Sequence, residues 1–255
     1  MSFLNKIRAS AGMGNAKVDA RVNEARVQQG GTVTGEVFIV GGAVDQKING
    51  LYIWVMTQVL VEQDDRKFLQ DAEIQRVNVS DAFTISAKEE KIIPFSFELS
   101  PETPLTVGKS EVWLKTVMDV PFAVDPKDKD YLEVTGNEAV ERVLAAAKQL
   151  GFTVKKVTNL KSRRTRSGVA QEFEFYPGSE FRQHFSELEL IFATDATGTT
   201  VYIEMDHKAK GLGGFLAAAM DMDESRMTLR YDSGRMGGVS QVADELRDTL
   251  LANAR

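Results

Sequence analysis

Six cations lie within twelve residues of this chain: Lys155, Lys156, Lys161, Arg163, Arg164 and Arg166, interleaved with Ser162, Thr165 and Ser167. Ammonium and guanidinium groups at that density suit charge-assisted hydrogen bonds to carboxylate or phosphate oxygens on a partner. The alternative is a solvated hairpin tip that binds nothing. The rest of the chain runs the other way. It has 31 Lys and Arg against 37 Asp and Glu, a net charge of −6. A generic nucleic-acid or anionic-membrane binder needs a surplus of cations, so neither partner is expected.

Other chemistry fails at a required position. Val107-Gly108-Lys109-Ser110 ends like a phosphate-binding loop, but Thr103 and Pro104 stand where the motif needs glycine and free amides. Gly211-Leu212-Gly213-Gly214-Phe215-Leu216 puts Leu216 where a dinucleotide fingerprint needs its last glycine. There is no Gly-x-Ser-x-Gly elbow. The chain has no cysteine, so disulfides, thiolate metal sites and thiol nucleophiles are excluded. Two histidines are present, His184 and His207, each with an acidic neighbour, Glu187 and Asp206. A Ser186–His184–carboxylate arrangement keeps a hydrolase open as the alternative to a binding protein. Asp125, Asp128 and Asp130 lack the spacing of a calcium hand and are opposed by Lys127 and Lys129. Asp221, Asp223 and Glu224 leave incidental cation binding open. No metal or cofactor is expected.

The elements that would position these groups are mostly strands. Val18, Ala20 and Val22 alternate with polar residues, as do Val33, Gly35, Val37 and Ile39. The run from Leu51 to Val61 is rich in β-branched and aromatic residues and reads as a central strand. Shorter candidates follow at 72–79, 82–85, 92–99 and 112–120, which together suggest a β-sandwich. Pro94 belongs at an edge or a bulge, because it cannot donate to a ladder. Asp125-Pro126-Lys127-Asp128-Lys129-Asp130 reads as a linker.

Thr135-Gly136-Asn137-Glu138 has the form of a capping box. Val140, Val143, Leu144 and Ala147 then mark one helical face that Gly151 should end. A second β region spans 153–157, 171–175, 188–192, 200–205 and 226–231. The chain closes on Val239, Val242, Ala243, Leu246 and Leu250, the stripe of an amphipathic helix. That helix docks within the chain or across a dimer, with Val242, Leu246 and Leu250 as candidate interface residues. Phe3, Leu4, Ile7 and Met13 suggest a short N-terminal helix. It offers a second alternative, a peripheral membrane adaptor acting through residues 1–13. No stretch approaches the ~18 apolar residues of a membrane span. A soluble cytoplasmic protein is expected.

Several segments, in order along the chain, resemble the bacterial sporulation-control protein family. They include Ala16-Lys17-Val18-Asp19, Gly35-Glu36-Val37, Ile92-Ile93-Pro94-Phe95-Ser96-Phe97 and the junction from Asp119-Val120 through Asp130. Further along stand Ala147-Lys148-Gln149-Leu150-Gly151-Phe152, Gln171-Glu172-Phe173-Glu174-Phe175-Tyr176-Pro177, Glu187-Leu188-Glu189-Leu190 and Met205-Asp206-His207-Lys208. The N-terminal half of that family is similar to an arrestin domain. The resemblance implies a mainly-β fold of two arrestin-like β-sandwich domains in tandem, over residues 1–130 and 131–255, with short N-terminal, inter-domain and C-terminal helices. It also implies a non-catalytic regulatory or scaffold role in sporulation and cell-cycle control. The partners would be bacterial regulatory or cell-division proteins. The apolar faces of the two terminal helices, with sandwich edges that invite pairing, lead us to expect a homodimer.

Overall fold

The computed structural model describes residues 15–64, 66–120, 129–163, 165–206 and 227–254. The expected N-terminal helix, Arg164, His207 and the acidic residues 221, 223 and 224 lie outside them. The architecture is mainly β.

The N-terminal half is a sandwich. One face is a three-stranded sheet in the order β1 (Lys17–Val22), β3 (Thr32–Val40), β8 (Glu90–Glu98). Opposite it lie β6 (Arg66–Ser80), β5 (Gly50–Gln63), β9 (Val112–Asp119), β10 (Asp130–Thr135) and β2 (Arg26–Gln28). Two short strands, β4 (Gln46–Ile48) and β7 (Phe83–Ile85), pair beside them. Alternation puts Val33, Val37 and Ile39 of β3 inside, against Ile53 and Val55 of β5 and Leu114 of β9. Each such buried side chain contributes about 1.5–3 kcal/mol. Pro94 sits on β8, an edge strand that pairs only with β3, where its missing donor costs no ladder bond. Gly35 is needed where it stands. A Cβ there would lie 2.3 Å from the Arg21 carbonyl oxygen and 2.5 Å from the Phe95 ring.

Residues 125–128 of the segment read as a linker lie outside the described residues, and from Asp130 the chain runs in this half as β10. β10 pairs with β9 and β2, and its Leu132 and Val134 belong to the first core. Only then does the chain enter α1 (Glu138–Gln149). The cap is Asn137, whose side chain accepts from the Val140 amide at 3.0 Å. Thr135, expected to cap, is instead the last residue of β10. Gly151 takes φ +85°, and the Gly151 and Phe152 amides donate to the Lys148 and Ala147 carbonyls, which ends the helix.

The C-terminal half is an antiparallel sheet in chain order: β11 (Thr153–Lys161), β12 (Val169–Tyr176), β13 (Glu187–Asp195), β14 (Gly198–Asp206), β15 (Met227–Asp232). α1 and the terminal helix α2 (Val239–Asn253) pack on the face carrying Phe173, Phe175, Leu188, Leu190, Val201 and Ile203. A second facing sheet, as a tandem sandwich requires, is not found among the described residues. Two amphipathic helices cover the apolar face in its place. Val242, Leu246 and Leu250 are each 0 % exposed, packed into this core. The stripe offered as a dimer interface is therefore taken up within the chain. Arg142 fixes α2 against α1 by donating to the Met236 and Gly237 carbonyls at 2.7 and 3.0 Å.

The two halves share one continuous sheet. β9 leaves β5 after Thr57, and β11 takes the vacated edge through a parallel bridge, Leu60 to Leu160.

Candidate functional site

The basic cluster falls on the hairpin β11–β12, beside that junction, and the hairpin divides it in two. A bulge between Val154 and Lys156 turns two successive lysines toward one acidic face. Lys155 Nζ lies 2.6 Å from Glu187 Oε1 and 3.4 Å from Glu174 Oε2. Lys156 Nζ lies 3.6 Å from Glu174 Oε1. Burial works against the Lys155 charge, but the hydrogen bond and charge of Glu187, aided by Glu174, hold its pKa above the ordinary value. Both lysines are committed within the fold.

At the hairpin tip the picture reverses. The side chains of Lys161, Arg163 and Arg166 are exposed and make no hydrogen bond or ion pair with another described residue. The loop that carries them is nevertheless held in shape. The Ser162 amide donates to the Gly168 carbonyl at 2.9 Å, and the Ser167 amide to Glu102 Oε2 at 3.1 Å. Gly168 takes φ +72°, which permits the turn. Between this loop and the β5–β6 hairpin runs a groove of about 490 Å³, with Leu60, Val61, Ala72 and Val169 as apolar wall and Lys161 and Arg163 on the rim. Phe68 and Leu69, the cross-strand partners of Val61 and Leu60, are 44 % and 60 % exposed.

A buried polar node underlies the groove. Asn159 Nδ2 donates to Thr57 Oγ1 at 2.9 Å, to the Gln58 carbonyl at 3.1 Å and to Ser110 Oγ at 3.0 Å. Gln171 Nε2 donates to the Leu105 carbonyl at 2.8 Å, and Gln171 Oε1 accepts from the Leu105 amide at 2.9 Å. These bonds tie β11 and β12 to β5 and to the 105–110 turn of the other half. Val107-Gly108-Lys109-Ser110 is that turn, with the Ser110 amide bonded to the Val107 carbonyl at 3.1 Å.

The remaining candidates are not assembled. Ser186 Oγ donates to the Asp206 carbonyl at 2.8 Å, and Glu187 is held by Lys155. His184 sits in the preceding turn with Nε2 3.2 Å from Gln183 Nε2. Among the described residues no group of three or more His, Asp or Glu is arranged to hold a metal. No described helix is long and apolar enough to cross a membrane.

What the sequence reading missed is the acidic face beneath Lys155 and Lys156. Glu172 and Glu174 of β12, Glu187 and Glu189 of β13, and Glu204 of β14 share the side of the sheet opposite the helices. The alternations Glu-Phe-Glu-Phe and Glu-Leu-Glu-Leu carry that signal. Here Glu172, Glu174, Glu187 and Glu189 are all buried.

These features define a mainly-β protein whose two halves are joined by a continuous sheet and a polar node. The chain belongs to the SpoOM protein family, whose model matches residues 4–209. It is 34% identical over 253 residues to the sporulation-control protein spo0M of Bacillus subtilis (strain 168), with 98% of each chain covered. The crystal structure of Spo0M from Bacillus subtilis is similar to it at a TM-score of 0.85 and 32% identity, over 94% of this chain and 100% of that one.

Proposed function

We propose that the chain is a non-catalytic regulator of sporulation that acts by binding another protein. The family and its sporulation-control relative support the regulatory role. The observation that supports the mode of action is the contrast within one hairpin. Lys155 and Lys156 are paired inside the fold, whereas Lys161 and Arg163 stand unpaired on the rim of a groove whose wall mixes Leu60, Val61, Ala72 and Val169 with Glu62 and Glu73, and Arg166 is exposed on the same loop. Exposed cations of that kind add little to stability, so their value lies in recognition. Guanidinium forks on a fixed loop suit carboxylate or phosphate groups, while Leu60, Val61 and Phe68 supply apolar contact.

Capture from lysate of the sporulating bacterium, with charge reversal at Lys161, Arg163 and Arg166, tests this reading. The triple variant should keep the wild-type unfolding midpoint and lose most of the captured partner, along with the salt dependence of capture. Undiminished capture at low and moderate salt would overturn the assignment of the groove.

A further inference from the structure

On the sheet face away from the helices, carboxylates stand directly opposite one another across three adjacent strands. Glu174 of β12 is in register with Glu189 of β13, and Glu189 with Glu204 of β14. Side chains in such register have Cβ atoms about 4.5–5.5 Å apart, and like charges there are destabilising. Glu172 lies two residues along β12, opposite Thr158 of β11 and Ile191 of β13. Glu187 lies two residues along β13, opposite Asp206.

The facing groups can be named strand by strand. β11 supplies Lys155 and Lys156, and β12 supplies Glu172, Glu174 and Tyr176. β13 supplies Glu187 and Glu189; β14 supplies Tyr202, Glu204 and Asp206. On β15 Arg230 and Asp232 share this face at its far end, where Arg230 is engaged by Asp232 and by Asp195 of β13. Lys155 is engaged by Glu174 and Glu187, and Lys156 by Glu174. Glu172 and Glu189 are only 5 % and 9 % exposed, and the buried Oε2 of each has no hydrogen-bond partner. A buried carboxylate oxygen without donor or cation is tolerable when the group is protonated and costly when it is charged.

We propose that this face is a proton-operated latch: protonated Glu172 and Glu189 let β11 to β14 pack tightly, and loss of their protons in alkaline medium loosens the C-terminal sheet. This device is independent of the partner groove. The electrostatics of the two groups point the same way. Burial first, then the charges of Glu189 and Glu174, pushes Glu172 up to about 8. Burial first, then Glu204 and Glu174, pushes Glu189 up to about 7. Both values lie above those of an unfolded chain, so the native state holds the extra protons. The stability they confer is complete below the unfolded carboxylate value of 4.5 and is lost progressively as pH rises to about 7 to 8.

The test is thermal unfolding of the full chain from about pH 6 to about pH 9, wild type against E172Q/E189Q. The wild-type midpoint should fall by several degrees more than that of the double variant. At the alkaline end the variant should be the more stable protein. Parallel curves would overturn the latch. If the double variant does not fold, amide hydrogen exchange on the wild type, corrected for intrinsic rate, decides. Protection in β12, β13 and β14 should drop with pH relative to β3 and β8. Protection that changes in step across both halves would refute it.

Discussion

Asn159 and Gln171 face each other across β11 and β12, with Gln171 Nε2 donating to Asn159 Oδ1 at 3.1 Å. Through Thr57, Ser110 and Leu105 this one pair anchors the hairpin that carries the basic rim to the N-terminal half. Asn159→Leu would leave buried groups of Thr57, Ser110 and Gln171 short of partners, costing about 1–3 kcal/mol for each group left unsatisfied. Denaturant unfolding should show that loss. A cycle with Gln171→Leu should give an interaction energy of roughly 0.5–3 kcal/mol, because the two act in one network.

The basic segment should divide functionally as it divides structurally. Lys155→Met removes the cation from Glu174 and Glu187, which are 6% and 11% exposed at the side chain. We expect a loss of about 1–3 kcal/mol, below the ~3–5 of a fully buried pair because the lysine keeps contact with water. Lys161→Met should change stability by no more than about 0.5 kcal/mol. Equal effects of the two substitutions on the unfolding midpoint would contradict this division.

The terminal helix offers a sharper contrast. Leu246 is 0 % exposed and Leu251 is 38 % exposed on the same helix. Leu246→Ala should cost about 2–5 kcal/mol, whereas Leu251→Ala should stay within about 0.5 kcal/mol. If Leu246→Ala left stability intact and changed only self-association, α2 would be a docking element between copies.

Gly35→Ala should destabilise the N-terminal sandwich by about 1–3 kcal/mol or more, since the added methyl meets backbone as well as the Phe95 ring. Phe95→Leu in the same chain should restore part of the loss. No restoration would place the conflict wholly at the Arg21 carbonyl.

The legible parts of this fold are those with strong local periodicity. Alternation at Val33, Val37 and Ile39, the long run from Leu51, and the helical stripes ending at Gly151 and Leu250 all lie on the elements they suggested. β10 was hidden because its entry is a charged, proline-containing segment, and short strands such as Leu132 to Val134 carry little pattern of their own. The role of the two helices was hidden for another reason. A strand with Phe173 and Phe175 on one side specifies an apolar cover but not whether helix or sheet supplies it. The node could not be found by spacing, since Thr57, Ser110, Asn159 and Gln171 meet only through the tertiary fold. The basic segment was visible by composition. Its division depends on a bulge and on glutamates from other strands, which composition does not reveal.

The central claim is that the groove beside the β11–β12 tip is where a partner binds. A photo-crosslinking amino acid placed singly at Phe68, Arg163 or Val44 in the native host tests it most directly. Val44 is a suitable control, because it is 65 % exposed and lies between β3 and β4. Phe68 and Arg163 should yield a common adduct with one other protein, abolished by charge reversal at Lys161 and Arg166, and Val44 should yield none. Adducts from Val44 alone, or equal labelling at all three positions, would contradict the account.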